Sequence, residues 1–354
     1  MMKSLNIQED TILTQITVTN GFFDGGVGTV NGLGGVNITS SSLSTTQKSY
    51  YYNLQYNSKD HFSVTYGHIA GSGSAEETST TEGTTQAIYK QFFNFTEPEA
   101  TNLRDSAGWS MIDGTDGANA VTQNDVYILA AERLQMKDRL NPGTFTLSLS
   151  GSLSDGGAST LHLTDNSKTS DATAAPFGEK YDIVSGSAGV QVGSTKYGFF
   201  YPDAGIFVLG ANEVSASLPG TPAYKTETNV VPATFQGNGL CPDHRVVDGA
   251  DNAHKLITAI SKGSVTLRSE EKQFIYDYFC RAKANEFNYS QNLTFWSGSQ
   301  YDIRHTDMIN NPQVYITEVG LYDEAGDLMA IGRLSSALEK NFSSEAIVKV
   351  RLTY

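Results

Sequence analysis

His244 lies in the run CPDHRVVDGADNAHKL, Cys241 to Leu256, between Asp243 and Arg245 and ahead of Asp248 and Gly249. The run reads like an active-site loop. A histidine serving there as general base would need a shaped pocket, an oxyanion donor and a route for its co-substrate, and one loop supplies none of these. The same residues also read as the turn before a helix. Asp248 or Asp251 can offer a side-chain oxygen to the free amides of NAHKLITAI, while Arg245 pairs with a nearby carboxylate.

The core of the run, DHRVVDG, resembles the D-H-R-x-x-D-G motif of dihydrolipoamide acyltransferases. That resemblance implies His244 as general base toward a thiol. The family carries the motif near the end of a compact α/β domain, usually behind a lipoyl domain with an Asp-Lys-Ala hairpin. Here more than a hundred residues follow Gly249, and the tripeptide is missing. The expectation is therefore a local coincidence, with no catalytic residue.

Other chemistry is fainter still. Gly26, Gly28, Gly32, Gly34 and Gly35 miss G-x-G-x-x-G, which would need glycine where Asn31 stands, so no phosphate cradle is expected. The acidic stretch MIDGTDGANAVTQND lacks the ligand spacing and terminal glutamate of a calcium loop. No G-x-S-x-G elbow occurs. His61, His68, His162, His244, His254 and His305 are scattered, with no pair at metal-ligand spacing, and read as packed or surface histidines. The sequence thus predicts no cofactor, no metal and no small-molecule substrate.

Composition says what kind of body holds these residues. In 354 residues only 18% are charged, against 39% hydrophobic, and Gly, Ser, Thr and Asn abound, which favours strands and turns. The formal charge of -14 disfavours a nucleic-acid surface, whose affinity comes from Lys and Arg displacing counterions. Cys241 and Cys280 are too few for a disulfide framework and read as reduced thiols. No apolar run is long enough to span a bilayer and the first residues lack a secretory pattern, so a soluble protein made in the cytoplasm is expected.

Along the chain, residues 1–45 read as a Gly/Ser-rich extended arm with little to bury, able to order against a neighbouring subunit. A β-rich domain is expected over 46–240. Within it YYYNLQY and HFSVTYGH are strands, the second with Phe62, Val64 and Tyr66 on one face. AIYKQFFNF suits a short helix or a strand. DVYILAAERLQMKDRLNPGTFTLSLSG reads as strand, helical turn, stop at Asn141-Pro142-Gly143 and strand, packed on itself. Residues 241–354 follow as a C-terminal part, open to belonging to the same body. Its helix NAHKLITAISKG has Asp251 or Asn252 as cap, a stripe of Leu256, Ile257 and Ile260, and Gly263 as stop. The hairpin NPQVYITEVGLYDEAGDLMAIGRL, apolar on both faces of its first strand, is expected at the centre of a sheet. The final strand sets Val348, Val350, Leu352 and Tyr354 against Lys349, Arg351 and Thr353, with the hairpin as its expected neighbour. Mainly β, with few short helices and sandwich- or barrel-like sheets, is the fold class.

Several segments resemble a virion structural protein of contractile-tailed bacteriophages, notably those infecting cyanobacteria. They are FSVTYGHIAGSGS, AIYKQFFNF, DVYILAAERLQMKDRLNPGTF, KYGFFYPDAGIFVLG, CRAKANEFNYSQNLTFWSGS and MINNPQVYITEVGLYDEAGDLMAIGRLSSALEKNFSSEAIVKVRLTY, spread from about residue 50 to the end. The resemblance implies a tail or baseplate component of the virion, assembled in the host cytoplasm. Its partners would be other virion proteins in homo- or hetero-oligomers, with no nucleic acid, membrane or small-molecule substrate, and no catalytic residue comes with it. Alternatives are a neck, collar or capsid-associated virion protein, an acyltransferase-like enzyme using the DHRVVDG loop, and a carbohydrate-binding adhesin module. The last would show exposed aromatic platforms, whereas most of the 18 Tyr and 17 Phe fall at alternating strand positions, where packing explains them.

Overall fold

The computed structural model describes residues 3–23, 26–31, 36–40, 51–69, 84–97, 108–112, 120–150, 160–214, 217–218, 249–290, 292–300 and 302–354. The chain is mostly strand, as its composition implies. It divides into two compact units, one of Met1–Thr17 with Lys272–Tyr354 and one of Val18–Glu271. Composition puts breaks near residues 45 and 240; strand pairing, which joins residues far apart in sequence, groups the chain differently.

The larger unit is built on one curled sheet. From edge to edge its strands are Thr29–Asn31, Ser264–Thr266, Thr146–Ser150, Thr160–Asp165, Gly178–Ser187, Val190–Tyr201, Ile206–Gly210, Asp125–Ala131, Lys59–His68, Tyr51–Tyr56 and Val36–Ser40. Each recorded pairing in it is antiparallel. Successive side chains point to opposite faces of a strand, so this sheet feeds two cores. Phe62, Val64, Tyr66, Tyr127, Leu129, Phe200, Phe207 and Leu209 face inward, while Val126, Ile128, Phe199, Tyr201, Ile206 and Val208 belong to a second cluster on the other face. Phe62, Val64 and Tyr66 share a core, as their spacing predicts.

Each face is covered by a helix. Thr84–Thr96, the segment readable as helix or strand, is a helix that contributes Ile88, Tyr89 and Phe93 to the second cluster beside Trp109. Gly249–Lys262 lies within the curl, buried from Asn252 to Ser261. It packs against strands from both ends of the sheet order, Thr146–Ser150 and Ser264–Thr266 on one side and Val36–Ser40, Tyr51–Tyr56 and Lys59–His68 on the other. The sheet is thus wrapped nearly into a barrel around it. Polar groups on such a helix must find partners inside, and Thr258 Oγ1 donates to His254 O at 2.8 Å and Ser261 Oγ to Thr258 O at 2.8 Å. The helix starts at Gly249, so Asp251 and Asn252 sit inside its first turn rather than capping it.

Three other expectations need correction here. The N-terminal segment is extended, in Thr11–Gly21, Thr29–Asn31 and Val36–Ser40, but it does not lack material to bury. Phe22 and Phe23 are each 1% exposed and pack against His61 and Phe62, and Val30 and Val36 join the same core. The run from Asp125 to Ser150 forms the expected strand, turn and strand but does not pack on itself: Asp125–Ala131 pairs with Lys59–His68 and Ile206–Gly210, and Thr146–Ser150 with Thr160–Asp165 and Ser264–Thr266. The last strand, Ala346–Thr353, hydrogen-bonds to Arg268–Ala282 rather than to the hairpin, Ile275 opposite Thr353 through Ala282 opposite Ala346.

In the smaller unit that hairpin, Val314–Tyr322 and Leu328–Lys340, is a two-stranded sheet of its own, so its first strand is not central. Apolar residues fall on both its faces for another reason. Val319, Leu321, Ala330 and Leu334 turn toward Val350 and its neighbours, while the opposite face remains open. Lys340 is wholly buried at the hairpin's end and donates to Ala284 O at 3.1 Å, Asn288 Oδ1 at 2.7 Å and Asn341 O at 2.8 Å. Three acceptors offset the desolvation of the ammonium and tie the preceding loop to the hairpin.

Candidate interaction surface

Of the DHRVVDG residues, Asp243, His244, Arg245 and Asp248 lie outside the described residues, and Gly249 begins the enclosed helix. The five described histidines take structural places. His61 sits among Phe22, Phe23 and Tyr56, with Nδ1 2.8 Å from Lys59 O. His162 Nδ1 lies 2.7 Å from Ser148 Oγ, His254 packs edge-on to Tyr52, and His305 precedes a short 3-10 turn. His68 Nε2 is 3.6 Å from Asp125 Oδ1, which also accepts from the Tyr66 hydroxyl. Among the described residues no group of His, Cys, Asp and Glu is placed to hold a metal ion. Cys241 lies outside them as well. Cys280 is a free, half-buried thiol that burial, and then the charge of Asp10, pushes up, which keeps it protonated and a poor nucleophile.

Charged clusters in the larger unit satisfy themselves. Arg139 donates from Nε to Glu270 at 2.8 Å and from Nη1 to Glu179 at 3.0 Å, with Asp203 3.6 Å away. Burial works against its charge, and these carboxylates outweigh burial and raise its pKa. Burial, then the neighbouring Glu179, pushes the Tyr181 hydroxyl up to about 12. Glu97 Oε1 accepts from Lys180 and Tyr201, each at 2.7 Å. Each cluster closes on itself and joins strands or turns of one fold, an arrangement that braces structure.

The smaller unit presents a different surface. Its buried hydrophobic residues, among those described, are Ala282, Phe295, Leu321 and Ala346, whereas most of the chain's exposed large apolar side chains belong to it. The open face of the hairpin shows how they are arranged. Glu318, Gly320 and Tyr322 alternate outward on one strand, opposite Arg333, Ile331 and Leu328 on the other. Tyr322 is 50% exposed, Leu328 46% and Ile331 53%. Gly320 is the floor of this patch: a Cβ there would lie 3.0 Å from Tyr322 Cε2 and 3.2 Å from Leu328 Cδ1, so the two side chains lean over bare backbone. Glu318 and Arg333, 3.4 Å apart and largely exposed, border it. Near the hairpin's far end an open groove runs between Leu334, Ala337 and Leu338 and the facing Ile347, Val348 and Lys349.

Lys349 and Arg351, on the polar face of the last strand, are paired within the chain. Asp277 binds Lys349 Nζ at 2.7 Å and Arg351 through Nε at 2.7 Å and Nη2 at 3.0 Å. Hydrogen bonds from Arg351 and then Lys349 hold the Asp277 carboxyl well below the usual carboxylate range.

Comparison of the chain with protein-family models, with curated proteins and with solved structures finds no match. The geometry must therefore speak for itself. What it offers is an uncovered apolar face, and the residues that form it were missed in the sequence. The signal was present in VYITEVGLY, whose apolar residues fall on both faces of the strand; a strand covered on one side by a thin layer and open on the other gives the same pattern as a central strand.

Proposed function

We propose that this chain is a structural protein that acts by assembly, as a tail or baseplate subunit of a tailed-phage virion. The observation that supports it is the smaller unit's surface. A unit with few buried apolar residues of its own and many exposed ones gains stability when another protein removes that surface from water, at about 25 cal/mol per Å². Partners are then other virion proteins or further copies of this chain. The resemblance of segments such as ITEVGLYDEAGDLMAIG to tail and baseplate proteins supports the same reading.

The test is to purify phage particles encoding this chain, identify it among their proteins by mass spectrometry and locate it by electron microscopy. The chain is expected in the tail or baseplate at a fixed copy number. Its absence from intact particles sinks the proposal. His244→Ala is expected to leave infectivity near the parent value; acyl transfer from acetyl-dihydrolipoamide to coenzyme A by the purified chain, lost in that variant, favours the enzyme reading instead.

A further inference from the structure

The open face of the hairpin carries its charges in a self-complementary order, and from this we infer that it pairs with a second copy of the same chain. Glu318 and Arg333 are register partners across the two strands, and apolar residues of the open face adjoin them toward the turn. Toward the turn lie Gly320, Ile331, Tyr322 and Leu328; the other way a register shift between Ile316 and Glu318 turns Ile316 to the half-buried side, so the apolar patch lies on the turn side of the pair. A two-fold axis through the Glu318–Arg333 pair sets each copy's carboxylate on the other's guanidinium. Because that axis runs along the strands between the two residues, it also lays the Tyr322–Leu328–Ile331 patch of one copy over the same patch of the other.

Isologous interfaces need this property, because residue i meets j and j meets i at once. Within one chain the pair is loose, at 3.4 Å with side chains 82% and 57% exposed. Such exposed pairs contribute little until water is excluded around them, which a facing copy would do. Gly320 lets Tyr322 and Leu328 close over bare backbone, which makes the apolar patch continuous. A partner of one sign of charge would meet like charge at either Glu318 or Arg333, whereas a second copy meets opposite charge at both.

This names a partner for the assembly surface and rests on that reading of it. The test uses the full chain and its hydrodynamic mass over a concentration series. The parent is expected to self-associate. Glu318→Arg and Arg333→Glu, each of which sets like charges face to face across the axis, are expected to raise the dissociation constant by about tenfold or more. Mixing the two variants is the decisive arm, because the paired guanidiniums of one variant then meet the paired carboxylates of the other and association returns. Ile331→Asp is expected to abolish it with the circular dichroism unchanged. A parent that remains monomeric at every concentration overturns the inference, as does a mixture that stays as dissociated as its components. Because purified chain and purified particles are assayed separately, a chain found in the tail yet monomeric alone refutes this pairing and leaves the virion role standing.

Discussion

Gly263→Ala tests whether the enclosed helix truly lies against the sheet. Sequence gives this glycine the role of a helix stop, and alanine at a helix end that tolerates it would be neutral or stabilising by roughly 0.4 to 1 kcal/mol through the unfolded chain. The structure reverses the sign. Gly263 is not in the left-handed region and its amide already bonds Ala259 O and Ile260 O, each at 3.1 Å. A Cβ there would stand 1.7 Å from Ser148 O and 2.8 Å from Ser148 C, on a backbone already paired on both sides to Thr160–Asp165 and Ser264–Thr266. Side chains cannot rotate away from a backbone carbonyl, so the helix end or the strand must move by more than an ångström. Such overpacking costs about 1 to 3 kcal/mol or more. With roughly 2 to 4 °C lost per kcal/mol in a domain of this size, a fall in melting temperature of about 6 to 12 °C is expected at the upper end. Scanning calorimetry of parent and variant measures it. A melting temperature equal to or above the parent's would mean the helix end does not touch Ser148, and the wrapped-sheet account would fail with it.

Other outcomes follow from the same geometry. Phe22→Ala or Phe23→Ala, at side chains 1% exposed in an aromatic cluster, is expected to cost about 3 to 5 kcal/mol in denaturant unfolding; an unchanged midpoint would restore the picture of an arm with little to bury. Asp277 has a folded pKa depressed by Arg351 and Lys349, so its contribution is present above the unfolded value of about 3.9 and is lost as pH falls toward the folded one. Asp277→Asn should therefore flatten the melting-temperature curve below about pH 4, and a variant that tracks the parent there would deny the ion triad any role. Deleting Val348 to Tyr354 removes most of the ladder with Ile275–Ala282 and is expected to give insoluble protein, with soluble chain of parental stability as the contrary result.

Local signals were legible where one face of an element meets one environment. Phe62, Val64 and Tyr66 reveal their strand because the spacing of two survives in the fold, and the stripe of Leu256, Ile257 and Ile260 does the same for the enclosed helix. Legibility fails where partners are distant. Nothing near Val30 points to Val265, yet the two strands pair there. Phe22 and Phe23 are set among glycines, and composition averaged over that segment hides two of the most buried side chains in the chain. Lys349 and Arg351 look available until Asp277, many residues earlier, appears opposite Arg351 in register. The hairpin's open face shares this limit: a strand uncovered on one side and a strand covered on both can carry the same apolar residues.

The wrapped sheet also dictates an order of events during synthesis. Thr29–Asn31 leaves the ribosome early, but its partner Ser264–Thr266 comes after almost all the rest of the larger unit, directly behind the helix that fills the curl. Until that helix emerges, the inward face of the sheet lacks the element that fills it, and Tyr52 lacks His254, against which it packs. Translation therefore carries a long open intermediate whose apolar lining is exposed, and non-local pairing of this kind makes folding slow and vulnerable to aggregation. Chains released before Gly249 should engage chaperones, and slowing elongation upstream of that codon should lengthen the exposure rather than help the fold.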